Sequence, residues 1–127
     1  MEVILDTNAL SALLDGDPAI RGVLEQAGMI YLSPVVLGKY RFGILASRYR
    51  SQYEQELARM EMEVPALPLD EVTASHYAEI RQELKSAGSP IPWHDLWIAA
   101  QCRQHLLPIL SRDAHFDQVK GITRIGW

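Results

Sequence analysis

Short apolar runs rich in β-branched residues alternate with helical patterns along the 127-residue chain, which predicts an α/β protein with a central parallel sheet. Two stretches point that way most directly. "EVILD" at residues 2–6 is a short β-branched apolar run ending in an acid, of the kind buried on both faces of a sheet, and it passes straight into a helical pattern. "LPILS" at 107–111 repeats the design, again with polar residues at its C-terminal end. Ligands of parallel sheets gather in the crevice outside those C-terminal ends. The acids found there are therefore the first functional candidates.

Strand one ends on Asp6. "TNALSALLDG" then begins with a capping residue at Thr7 or Asn8, carries Leu10, Leu13 and Leu14 at helical spacing, and stops at Gly16. A second short helix is predicted over 18–27. "MIYL" reads as strand two, and Ser33 and Pro34 supply an N-cap and a first-turn proline for a helix through "VVLGKYRFGI". Tyr53, Leu57, Met60 and Val64 recur at helical spacing, while the prolines of "VPALPL" make the following stretch extended. Tyr77, Ile80 and Leu84 mark a helix over 70–88 that Gly88 closes. "SPIPWHD" enters another helix, whose predicted inner stripe is Asp95, Ile98, Ala99, Cys102 and Leu106, and "ITRIGW" holds the last strand.

A chain of this length predicts one domain, residues 1–127, able to bury about two thirds of its unfolded surface. With 48% hydrophobic and 22% charged residues it has a globular composition. No apolar run reaches the roughly 18 residues needed to cross a bilayer, and Met1 is followed by an acid and a strand-like run, not by a leader pattern. The expectation is a cytoplasmic protein with no membrane partner. Cys102 is the single cysteine, which excludes an internal disulfide and a cysteine-rich zinc site, and its apolar neighbours predict a packed thiol.

The net charge of −4 is unevenly spread. Residues 26–53 contain no acid but hold Lys39, Arg41, Arg48 and Arg50, whereas residues 54–83 hold eight acids against Arg59 and Arg81. That basic strip suits flanking phosphates or an acidic partner segment; a helix C-terminus that favours Arg48 and Arg50 explains it equally well. At about 100° per residue, Lys39 and Arg41 point to nearly opposite sides of their helix. One of them is expected to face inward, opposite an anion.

Three carboxylates occupy positions that an α/β crevice collects: Asp6 at the end of strand one, Asp95 in the first turn of its helix, and Asp113 just beyond the "LPILS" strand. Each also has an ordinary use, as a helix cap, a dipole-satisfying acid or a turn residue. Brought together they repel one another and need a cation. Oxygen donors, with no His or Cys set at metal spacing, select Mg²⁺ or Mn²⁺. His94 and His115 read as polar neighbours, and Asp117 as a surface residue.

"ILDTNAL", "SPVVLGKYRFGI", "PIPWHDLWIAAQC" and "ILSRDAHFDQV" occur in the order and spacing of PIN domains, and over its whole length the chain resembles the VapC-type toxins of that family. The resemblance implies a PIN-like α/β/α sandwich and an endoribonuclease that cleaves RNA with Mg²⁺ or Mn²⁺. It also implies a VapB-type antitoxin as partner, and a homodimer. The catalytic and metal-binding acids fall on Asp6, Asp95 and Asp113, with Thr7 and Asn8 completing the first motif. The family's second acid, a glutamate of the middle helix, falls on Lys39, a change of two charge units that opposes metal binding. A second expectation follows beside the nuclease: a non-catalytic PIN-fold module that binds an antitoxin. A small-molecule phosphatase would need a phosphoryl-accepting motif, and the chain has none.

Overall fold

Val3, Ile4 and Leu5 are all fully buried, without alternation, because the strand they form is covered on both faces. The computed structural model describes residues 1–127. In it β1 (Glu2–Leu5) pairs in parallel with β2 (Met29–Tyr31) on one side and with β3 (Ile109–Leu110) on the other, and β4 (Arg124–Ile125) adds to β3. The order β2-β1-β3-β4 places in the middle the two strands whose residues, Glu2 aside, are all buried. Six helices complete the α/β/α arrangement.

Helices α1 (Thr7–Leu14), α2 (Pro18–Glu25), α3 (Pro34–Ile44) and α4 (Arg50–Glu63) pack together, while α5 (Glu71–Ser86) lies along α6 (Trp93–His105), which also touches α3. Polar caps start most of them. Asp6, Asp17 and Ser33 accept from backbone N–H groups of α1, α2 and α3. Asp70 and Thr73 form a reciprocal capping box on α5. Gly16, at φ +78°, takes the left-handed turn between α1 and α2 that an L side chain resists. The "VPALPL" stretch is extended, touching the sheet only through a parallel bridge between Leu32 and Ala66.

Several boundaries and orientations differ from the sequence expectations. Strand one stops at Leu5, because Asp6 already serves as the cap of α1. The buried stripe of α6 includes Asp95, Ile98, Ala99 and Cys102 but not Leu106, which is 86% exposed. Leu106 ends α6 in the left-handed conformation, at φ +56°, so its side chain leaves the stripe, and Leu107 is buried in its place. Neither Lys39 nor Arg41 faces inward. The buried stripe of α3 is Val36, Tyr40 and Ile44, four residues apart, and both cations lie one position to either side of Tyr40, on the exposed flanks.

Two of the four cations of the basic strip are paired. Arg41 pairs with Glu61 of α4, and Arg50 with Glu54 at 2.8 Å. Arg50 opens α4 instead of closing α3, so it meets the unfavourable end of the helix dipole, and Glu54 one turn on compensates. Burial pushes the Cys102 thiol well above its ordinary range, which leaves it a packed, unreactive group.

Candidate active site

The parallel register sets the site. Leu5 pairs with Leu110, and the ladder continues past both strands: Asp6 N–H donates to the Leu110 carbonyl at 3.1 Å, and Ser111 N–H to the Ile125 carbonyl at 2.9 Å. Asp6 and Ser111 therefore emerge side by side from the C-terminal edge of the sheet. Both are buried. The Ser111 hydroxyl donates to Oδ2 of Asp6 at 2.6 Å and accepts the Asp113 backbone N–H at 2.9 Å and the Asn8 amide at 3.5 Å. The other oxygen of Asp6 accepts the Thr7 N–H at 2.8 Å. One serine hydroxyl thus joins residues 6–8 to residues 111–113, two segments far apart in sequence.

Asp95 approaches from the first turn of α6, 4% exposed. His115 Nδ1 lies 3.2 Å from Oδ2 of Asp95 and 3.0 Å from Oδ1 of Asp113. Asp113 holds His115 further, by capping the short 3₁₀ helix Ala114–Gln118 through the His115 backbone N–H at 2.9 Å. A ligand atom from each of Asp95, Asp113 and His115 lies within 4.8 Å of the other two. Asp6 stands outside that tight group but close enough for its charge to act on Asp95. Burial above all, then the charges of Asp113 and Asp6, raise the Asp95 carboxyl above the ordinary aspartate range; the His115 hydrogen bond and the Lys39 charge oppose the rise.

Lys39 is exposed and forms no ion pair, yet its charge reaches Asp95. It stands on the rim of the acidic group, not within it. Asn8 braces the base of the site by accepting the Arg112 N–H on Oδ1 at 3.2 Å. Thr7 contributes its backbone, while its buried hydroxyl has no partner. His94 stacks on Trp93 and stays away from the carboxylates. Asp117 pairs with Arg124 at the surface, which holds its carboxyl below the ordinary range.

Sequence reasoning missed Ser111 and read His115 only as a polar neighbour of the acids, whereas the structure groups it with Asp95 and Asp113. Ser111 ends a strand as many serines do, and its link to Asp6 depends on register. His115 sits two residues from Asp113, a spacing that a capped 3₁₀ turn folds back onto the carboxylate, and that proximity was its only signal. The donor set, carboxylates crowded at a buried strand end with an adjoining imidazole, fits a divalent cation.

Similarity to known proteins gives the family. A ribonuclease, VapC5 of Mycobacterium tuberculosis, is 27% identical over 124 residues, covering 96% of this chain and 90% of its own. Toxin FitB of Neisseria gonorrhoeae is 32% identical over 121 residues, 87% of each. The crystal structure of VapBC-5, a member of the VapBC family of toxin-antitoxin systems from M. tuberculosis, superposes with a TM-score of 0.78 at 27% identity, over 99% of this chain and 98% of that one. The family model of the PIN domain matches residues 3–122, and the chain belongs to the PIN domain family, in its VapC-type branch.

Proposed function

We propose that the chain is a VapC-type toxin, an Mg²⁺- or Mn²⁺-dependent endoribonuclease that cleaves RNA, is neutralised by a VapB-type antitoxin, and works in the cytoplasm as a homodimer. The observation that carries the reading is the grouping of Asp95, Asp113 and His115 beside Asp6 at the C-terminal edge of the sheet. Relatives named as a ribonuclease and a toxin, and a neighbour solved as a toxin-antitoxin pair, support it.

Asp6, Asp95 and Asp113 would hold the ion, with His115 next to two of them. Bound there, a divalent cation supplies Lewis acidity and a water of lowered pKa for attack on a phosphodiester. The chain's own contribution is orientation. Ser111 and the Thr7 N–H hold both oxygens of Asp6, and Asp113 is held by the same hydroxyl through its backbone. His115, with its proton on Nδ1, would donate to Asp95, while its backbone N–H donates to Asp113, so that it links the two carboxylates.

The test is cleavage of RNA by purified chain with Mg²⁺ or Mn²⁺ and with chelator, beside Asp6→Asn and Asp95→Asn. Cleavage that needs the cation and both aspartates is the expected result; cleavage indifferent to either removes the reading. Lys39 favours one second reading, a non-catalytic PIN-fold module that binds the antitoxin, because an unpaired cation bears on Asp95 where the resemblance places a glutamate. Antitoxin binding by a chain that cleaves no RNA under any metal condition would select it.

A further inference from the structure

Arg112 lies just beyond the C-terminal end of β3 and Arg124 opens β4 beside it, and only Arg124 is neutralised. Arg124 donates from Nε and Nη2 to both carboxylate oxygens of Asp117 at 2.8 Å, and from Nη1 to the Ser111 carbonyl at 3.2 Å. Arg112 forms no ion pair, although Asp113 follows it directly. Its guanidinium carbon lies instead 4.5 Å from the centre of the Trp127 ring, and the residue is exposed.

The sheet sets this stack. Leu110 is in register with Ile125, and Arg112 and Trp127 each lie two residues beyond that pair. The Arg112 backbone is fixed as well, its N–H bound to Asn8, between Ser111 on one side and Asp113 on the other. An arginine on a free arm beside several carboxylates would turn toward them. Stacking on the indole holds it at the rim, with its edge donors unused and little rotamer freedom left to lose on binding. A polyanionic strand approaching Asp6, Asp95 and Asp113 is repelled by them and needs a fixed cation nearby.

We propose that Arg112, positioned by Trp127, is a binding subsite for one phosphodiester of the RNA strand, adjacent to the one that is cut. Its role rests on the ribonuclease reading above. Planar, bidentate donation suits a phosphate's two free oxygens. Trp127 is a positioning residue, acting only through the guanidinium.

The test measures binding of end-labelled, unfractionated tRNA by fluorescence anisotropy in EDTA across a salt series, with cleavage of the same RNA in Mn²⁺ run in parallel. Arg112→Ala should weaken binding about five- to tenfold and lower the slope of log affinity against log salt by about 0.7, the share of one phosphate contact on a single strand. Arg112→Lys should keep the slope but bind more weakly than the parent, and Trp127→Phe should stay near the parent. Trp127→Ala should fall between parent and Arg112→Ala. Melting curves confirm that each variant is folded, and the salt slope is a readout that mere loosening of the edge would leave alone. A parent that binds and cleaves while Arg112→Ala matches it in affinity and slope overturns the subsite alone. A parent that binds without cleaving, with Arg112→Ala impaired, overturns the ribonuclease reading and supports the subsite. Absence of RNA binding by the parent at any salt overturns both.

Discussion

Ser111 donates its hydroxyl to Oδ2 of Asp6 at 2.6 Å across 105 residues of sequence, and both side chains are buried. The Ser111 hydroxyl oxygen also accepts the Asp113 N–H, so removing it loosens two candidate ligands at once. Ser111→Ala should cost about 1–3 kcal/mol of stability, the penalty for leaving a buried polar group short of a partner. RNA cleavage should drop more than the folded fraction does. Denaturant melts and single-turnover cleavage measure the two effects separately; an active variant of parental stability would show that the hydroxyl organises nothing.

Asp95 → Asn should separate stability from chemistry. Folding raises the Asp95 carboxyl, chiefly by burial, so its contribution to stability is fully present below the ordinary value of 3.8 and is lost as pH rises through the raised one. At neutral pH the ionised group therefore opposes folding. The asparagine variant should melt higher than the parent at pH 7 without cation, lose that advantage in acid, and cleave no RNA. Adding Mn²⁺ should raise the melting temperature of the parent and not of the variant. A lower melting point for the variant at neutral pH would contradict this assignment.

Lys39 is tested by its charge. With Lys39 on the rim and felt by Asp95, Lys39→Glu should tighten Mn²⁺ binding and raise cleavage, and Lys39→Ala should relieve the repulsion without adding a donor. The expected order of activity is Glu above Ala, with Ala at or above the parent, on one RNA at matched salt. Equal activity in all three places Lys39 outside the chemistry.

Asp70 gives a pH signature remote from the site. The Thr73 backbone hydrogen bond, with help from Gln104, the Thr73 hydroxyl and Val72, holds its carboxyl below the ordinary value of 3.8. A carboxyl lowered by folding stabilises the protein above that value, and the contribution disappears as pH falls through the lowered one. Asp70→Ala should melt lower than the parent at neutral pH, by a margin that narrows below about pH 3.8. A margin independent of pH would assign the loss to neutral hydrogen bonds alone.

Leu106 offers a stabilising substitution. It occupies the left-handed end of α6 at φ +56° while burying almost nothing. Leu106→Gly should relieve that conformation and gain about 0.5–1 kcal/mol. Thermal denaturation checks the sign, and a loss would mean that the exposed leucine packs against something in solution.

The sequence by itself determined the alternation of strands and helices, the Ser33 cap, and the three aspartates as candidates, whereas it put the cap of α1 at Thr7 or Asn8, one or two residues late. All of these rest on chemistry within one strand or one helical turn: apolar runs, helical spacing, and a short polar side chain placed before a helix. Only the tertiary structure decided what surrounds those aspartates. Ser111 meets Asp6, and Arg112 meets Trp127, because burial of Leu5 and Leu110, with the half-buried Ile125 packed against them, sets a register between strands distant in sequence, and no local pattern encodes that register. His115 reaches Asp95 through a 3₁₀ turn too short to leave a periodicity. Lys39 shows the converse case. Its helix was legible, but which side of it faces the core depended on Tyr40 filling the interior, and a single residue's rotation moved the lysine from the inside to the rim.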